Sequence, residues 1–171
     1  GASDRLGKIA EGNTISDYDP EEVKRKASLG TTLVSLDWLD TKLNLLDTPG
    51  LFDFAGSVAE SLRACDGAVI TVSGKSGVTG GTVKAYEAAV ENRKARLFVV
   101  TKLDAEHADF YKVLEDLKAQ FGPSICPLVV PVGEGGQIES YINLFRGKAF
   151  TYDSKGVASE IEIPDIKHRF E

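Results

Sequence analysis

Methionine is missing from this sequence altogether, position 1 included. The chain is therefore expected to be a processed product or a piece of something longer. Cysteine is nearly missing, with only Cys65 and Cys126 present. Two thiols make no disulfide framework and fit a reduced compartment or plain core packing. No apolar run approaches the roughly 20 residues that a membrane-spanning helix needs, and no signal peptide is expected. Basic charge is also short: 20 Lys and Arg stand against 26 Asp and Glu, a net charge of -6. Bulk charge therefore argues against a binder of phosphate backbones. Local contact with RNA through another part of a larger protein stays open. Internal repeats and low-complexity tracts are lacking too.

What remains has the length of one ordinary domain: 171 residues, 42% hydrophobic and 27% charged. Residues 1 to 20 are polar and Gly-rich and read as loop. Glu21 to Lys26 is a charged run fit for one helical turn. Thr32 to Trp38 and Lys42 to Leu46 are rich in β-formers and flank Leu39-Asp40-Thr41, which predicts an antiparallel hairpin. Helical spacing recurs over Phe54 to Ala64, Thr82 to Asn92 and His107 to Phe121. In the last, Phe110, Val113, Leu114 and Leu117 share a face, and Gly122-Pro123 end it. Gly67 to Val72 and Arg96 to Val100 are short apolar runs expected as buried strands. Pro127 to Val132 is expected as a strand and Ile138 to Phe145 as a helix. Lys148 to Ile163 reads as a second hairpin around Ser154-Lys155-Gly156. Strands alternating with helices imply βαβ units and a mostly parallel sheet, whose ligands bind at the carboxyl ends of the strands.

Two strand ends carry polar motifs. The run Leu43 to Leu46 drives into Asp47-Thr48-Pro49-Gly50, a fit to the DxxG element of GTP-binding proteins. An acid at a strand end can hold Mg²⁺, commonly through water. Gly50 lets the backbone approach a terminal phosphate and offer its N–H. The same four residues are also a good plain turn. Leu97 to Thr101 leads into Thr101-Lys102-Leu103-Asp104, an [NT]KxD element. The Asp104 carboxylate can accept from guanine N1–H and the exocyclic amine, a pattern adenine lacks. The Lys102 stem can lie across the base, and Thr101 braces the loop. Each motif alone is weak, but the two together, at strand ends expected to meet at one edge, are specific.

The order DTPGLFDF, then ESLRACDGAVITVSGKSGV, then TKLDAEHADF resembles the GTPase domain of translation elongation factor G. GKIAEGNTISDYDPEEVKRKASL resembles its switch I region, and VPVGEGGQIESYINLFRGKAFTYD resembles the start of its insertion. The resemblance covers essentially the whole chain, and SDYDPEEVKRK with Leu51 points to a divergent paralogue. It implies an α/β, P-loop-GTPase-type fold, a mostly parallel sheet flanked by helices. Residues 1–132 would be a partial GTPase domain without its P-loop, and 133–171 the start of the insertion subdomain. It implies GTP or GDP and Mg²⁺ as cofactors, with Asp47, Thr48, Pro49, Gly50, Thr101, Lys102 and Asp104 binding nucleotide. Asp47 and Ser28 would serve the metal. The ribosome would be the partner through the full-length protein, in the cytoplasm. No membrane contact and no direct sequence-specific nucleic-acid binding are expected.

Three departures qualify this reading. The phosphate cradle G-x-x-x-x-G-K-[ST] precedes, in the family, the point where this chain begins. Gly74-Lys75-Ser76 is a decoy, because the first glycine would fall at Val69, and Lys75 reads as a solvated loop lysine. Next, Leu51 stands where the family has the histidine that orders the attacking water. Leucine neither donates nor accepts a hydrogen bond, so no catalytic residue is assigned and slow hydrolysis is expected, unless Leu51 only packs under the turn. Last, the switch I threonine corresponds to Ser28, with Thr31 and Thr32 close enough to compete. Asp53 is expected to cap the helix at Phe54, and Glu21, Glu22, Glu160 and Glu162 to be solvated. The expected function is the guanine-nucleotide-binding domain of an elongation factor G-like protein, with enzyme activity left open. The alternatives are a ribosomal protection-type translational GTPase and a nucleotide-free interaction module.

Overall fold

The computed structural model describes residues 7–134, 137–153 and 156–164. The chain forms two compact units, Gly1–Ile70 with Val83–Leu97, and Thr71–Thr82 with Phe98–Glu171.

In the first unit, helix α1 (Pro20–Arg25) begins at a capping box. The Asp19 side chain accepts from the Glu21 N–H at 2.8 Å, and the Glu22 side chain accepts from the Asp19 N–H at 3.3 Å. Pro20 occupies the first turn, where its missing N–H costs nothing. Strands β1 (Thr32–Trp38) and β2 (Thr41–Asp47) form the expected antiparallel hairpin, with Thr32 opposite Asp47 and Trp38 opposite Thr41. Leu39 and Asp40 turn the corner with φ of 46° and 58°, the left-handed pair that a two-residue hairpin loop requires.

Helix α2 (Ala55–Ala64) follows a 3₁₀ turn at Phe52–Phe54. Asp53 does not cap it: the N-cap position is Phe54, without a side-chain hydrogen bond. The 3₁₀ turn already supplies acceptors, Leu51 C=O for the Phe54 N–H and Phe52 C=O for the Ala55 N–H.

Strands β3 (Gly67–Ser73) and β4 (Ala95–Thr101) are hydrogen-bonded neighbours joined through helix α3 (Gly80–Glu91). A helical crossover is the connection that parallel neighbours require. The division between units passes through all three elements. The strands are not buried throughout, as their continuous apolar runs suggest. Ile70 and Val72 are covered, whereas Val69 and Leu97 are exposed. Alternate side chains leave opposite faces, and an unbroken apolar run does not reveal whether both faces are covered.

In the second unit, helix α4 spans Phe110–Phe121. It starts three residues later than the periodicity suggests, because Asp109 caps it by accepting from the Lys112 N–H at 3.0 Å. His107, expected in the helix, has φ of 64° and lies in the preceding turn. Val113 and Leu117 pack with Val72, joined by Phe98, Val100 and Phe121. The Phe98 and Phe121 rings stack at 5.3 Å. A four-stranded antiparallel sheet follows in the order β5 (Val129–Glu134), β6 (Gln137–Asn143), β7 (Lys148–Tyr152), β8 (Ala158–Ile161). Its core of Val130, Ile142 and Ala149 is covered by Phe110 and Val132.

The helix expected over Ile138 to Phe145 is thus strand β6. Its burial alternates, with Ser140 and Ile142 inward, and pairing on both sides overrides a short helical pattern. The second hairpin is present as β7 and β8; the turn residues Ser154 and Lys155 lie outside the described residues. No helix among the described residues is long and apolar enough to cross a membrane.

Candidate functional site

The two motifs fall in different compact units, and each half-site stands on its own geometry. In the first unit, Asp47 ends β2 and is exposed, while Pro49 is buried beneath the turn. The Asp47 carboxylate has no hydrogen-bond or ion-pair partner among the described residues. Gly50 is informative by elimination. Its φ is not positive, and an added Cβ would meet nothing within 4 Å. Neither backbone conformation nor packing therefore demands a glycine there, and the space beside it is open. Leu51 follows, 51% exposed. The next ring, Phe52, carries the Lys84 ammonium 4.2 Å above its centroid.

The structure separates the three hydroxyls considered for the metal. Thr31 Oγ1 lies 3.1 Å from Ser61 Oγ on α2, and Thr32 Oγ1 donates to the Ser16 carbonyl at 2.9 Å. Both make structural ties. Ser28 Oγ donates its single proton to Asp17 at 2.7 Å, which leaves its lone pairs available to accept or coordinate. Among the described residues no group of three or more His, Cys, Asp or Glu side chains is placed to hold a metal ion. A cation served by one carboxylate and water is the arrangement Mg²⁺ favours, and the free Asp47 carboxylate fits it.

The sequence reads Glu22 as solvated, and here the structure differs. It is buried, and its carboxylate accepts from the N–H groups of Leu29 at 2.8 Å, Gly30 at 3.1 Å and Asp19 at 3.3 Å. The bond from Leu29, followed by that from Gly30, holds its pKa below the usual glutamate value despite burial. The Asp-x-x-Glu spacing of a capping box is legible in the sequence. The reach to residues 29 and 30 is not.

In the second unit, Thr101 to Asp104 form a pinned loop. Thr101 Oγ1 donates to the Val72 carbonyl at 3.4 Å, and the Thr101 carbonyl accepts from the Gly74 N–H at 2.7 Å. Lys102 has φ of 55° and is exposed, as is Asp104. Below the loop sits Gly74, buried, whose carbonyl accepts from the Asp109 N–H at 3.1 Å. A Cβ on Gly74 would lie 2.8 Å from Leu103 Cδ2 and 3.2 Å from the Thr101 carbonyl oxygen. The glycine of the decoy Gly74-Lys75-Ser76 is thus the floor of the Thr101–Asp104 loop. Its lysine is exposed, and the Lys75 and Ser76 N–H groups are occupied by Ser73 Oγ at 3.3 Å each, so they form no phosphate nest. The charge of Asp104 reaches Tyr141 on β6. Burial first, then Tyr152, then Asp104 push the Tyr141 hydroxyl above the usual phenol pKa. Tyr141 and Tyr152 meet edge to face at 5.7 Å.

Comparison with known proteins identifies the family. The family described as "Elongation factor Tu GTP binding domain" matches residues 1–164. A mitochondrial ribosome-releasing factor 2 from Anopheles gambiae is 38% identical over 156 residues, which are 91% of this chain and 21% of that protein. Elongation factor G 2 from Borreliella burgdorferi is 29% identical over 170 residues, 99% of this chain and 25% of that protein. A crystal structure of a Thermus thermophilus protein superposes with a TM-score of 0.88 at 38% identity, covering 96% of this chain and 24% of that one. The chain therefore spans about a fifth to a quarter of the length of these relatives. With the α/β fold, the family match over nearly the whole sequence and the two motifs in place, the chain belongs to the elongation factor Tu GTP-binding domain family.

Proposed function

We propose that this chain is the guanine-nucleotide-binding portion of a ribosome-associated translation factor of the elongation factor G type. The carrying observation is Asp104: an exposed carboxylate with no hydrogen-bond or ion-pair partner among the described residues, on a loop tied to β3 through Thr101 and Gly74. A free acceptor pair held still is what guanine N1–H and its amine require. Lys102 supplies a stem to cover the base, and Thr101 fixes the loop beneath it. At the phosphate end, Gly50 offers its N–H, with Thr48 and Pro49 shaping the turn. Asp47 and Ser28 would hold Mg²⁺, which when bound neutralises phosphate charge. Leu51 offers the attacking water no partner, so hydrolysis is slow in this reading.

The relatives named above support a role on the ribosome, and the exposed acids support no direct sequence-specific nucleic-acid contact. Residues 1–132 are read as the GTPase portion and 133–171 as the start of an insertion, with the register shift between Val132 and Gly133 at the join. The compartment is read as the cytoplasm; the word "mitochondrial" in the name of the Anopheles relative makes an organelle matrix the second reading.

The test is base preference in the full-length protein. Asp104→Asn turns the acceptor pair into an amide that suits the xanthine edge. Competition between guanine and xanthine diphosphates should therefore shift toward xanthine by at least tenfold. An unchanged preference removes Asp104 from the base site.

A further inference from the structure

Residues 16 to 32 hold a set of short polar contacts that nucleotide chemistry alone does not explain. Ser28 is bonded to Asp17, Thr32 to the Ser16 carbonyl, and the backbone between them to Glu22. Glu22 does two jobs from one buried position. It closes the capping box on its own helix through the Asp19 N–H, and its Oε1 gathers the N–H groups of Leu29 and Gly30. The six-residue helix α1 is too short to be stable alone, and Lys26 ends it in the left-handed region at φ 55°. Among the described residues the carboxylate is the partner of both the Leu29 and the Gly30 donor.

We propose that Glu22 is a positioning residue for the nucleotide-sensing segment, a carboxylate clasp that sets residues 28–30 in place before a ligand arrives. Its action on nucleotide rests on the reading of Ser28 given above; its action on the segment does not. The clasp prepays the ordering of Leu29 and Gly30, so a ligand that needs Ser28 in position binds without that entropic cost. A diphosphate, which makes no demand on this segment, should be indifferent to it. Charge matters as well as shape, since a carboxylate accepting from several N–H groups bonds them more strongly than an amide oxygen does. Two neighbouring carboxylates act elsewhere: Asp17 accepts from the Ser28 hydroxyl and Asp19 from the Glu21 N–H.

The experiment uses the full-length protein with Glu22→Gln, the shorter Glu22→Asp, and Glu21→Gln on the exposed flank of the same helix. Backbone hydrogen exchange at Leu29 and Gly30 should accelerate at least tenfold in both Glu22 variants and stay at the wild-type rate in Glu21→Gln. Amides of β1 and β2, in the same compact unit as Glu22, should be unaffected, which shows that this unit folds in the variants. Affinity for a non-hydrolysable GTP analogue should drop about tenfold in Glu22→Gln while GDP affinity is retained. Unchanged exchange at residues 29 and 30 overturns the proposal, whatever the nucleotides do. Faster exchange with an unchanged ratio of analogue to GDP affinity also overturns it, leaving Glu22 as packing alone. Failure of wild type to bind either nucleotide is a different result: it sinks the reading of Ser28, and exchange then decides the clasp. If Glu22→Gln does not fold, Glu22→Asp, which keeps the charge and shortens the reach, decides by the same two readouts.

Discussion

At the scale of single residues, Leu51 and Gly74 carry opposite lessons. Leu51 is half exposed beside Gly50, where a hydrogen-bonding side chain could meet water, and it has none to offer. Leu51→His in the full-length protein should raise ribosome-stimulated phosphate release by roughly 10²-fold, the scale of one proton-handling group. A wild type already fast, with a variant no faster, means another group holds the water. Gly74 is legible in the sequence only as a false phosphate loop, because sequence shows what precedes a glycine and not what lies over it. Its use is spatial: Leu103 and the Thr101 carbonyl leave no room for a Cβ. The Leu103 side chain can swing aside; the backbone oxygen cannot. Gly74→Ala should weaken GDP binding several-fold with little loss of helix signal by circular dichroism, and an unchanged dissociation constant removes Gly74 from loop support. What is legible of the two motifs, Asp47 to Gly50 and Thr101 to Asp104, is their place: β2 ends at Asp47 and β4 at Thr101.

At the scale of elements, what is legible follows local chemistry, and what is not follows distant pairing. The hairpin of β1 and β2, the helices α2 and α4 and the second hairpin follow from turn residues and periodicity. Strand β6 escapes a sequence reading because Ile138 to Phe145 has apolar residues compatible with either period, and only its neighbours β5 and β7 decide. The register shift between Val132 and Gly133 depends on Gly133, whose φ is 146° and whose added Cβ would collide with the Gln137 carbonyl oxygen. That contact is with backbone, so Gly133→Ala should destabilise the sheet by more than the roughly 1 kcal/mol of an ordinary glycine replacement, read as a lowered urea midpoint. The α1 segment makes a prediction in pH. Because native Glu22 has a lowered pKa, its contribution is complete above the ordinary glutamate value of about 4.3 and is lost as pH falls through the lower native value. Exchange at Leu29 and Gly30, corrected for intrinsic rates, should therefore rise in that acidic window. In Glu22→Gln the same amides should show no such rise.

At the scale of the molecule, the second unit is organised around one helix. Phe110 at the start of α4 covers the core of β5 to β7, and Val113, Leu117 and Phe121 pack with Val72 and Phe98. The two clusters are therefore linked by twelve residues of continuous helix. Leu117→Ala and Ile142→Ala should each cost about 2–5 kcal/mol, the range for truncating a buried side chain. Tyrosine fluorescence and far-ultraviolet dichroism should still report one shared transition in each variant. Separate transitions would show that α4 does not couple the clusters. None of this linkage is visible in the sequence, where Phe110 and Val113 look like neighbours on one apolar stripe.

The outer strands of the four-stranded sheet bear on how the protein behaves when concentrated. An open sheet edge invites another chain to add itself as a further strand. On β5, Pro131 has no N–H to give, and its carbonyl is taken by the Tyr111 hydroxyl at 3.1 Å. On β8, Glu160 is exposed and held by Lys148 at 2.8 Å. Pro131 interrupts the row of backbone groups on β5, and the Glu160–Lys148 pair sets charge beside β8, so crowding finds less purchase for fibrous self-assembly.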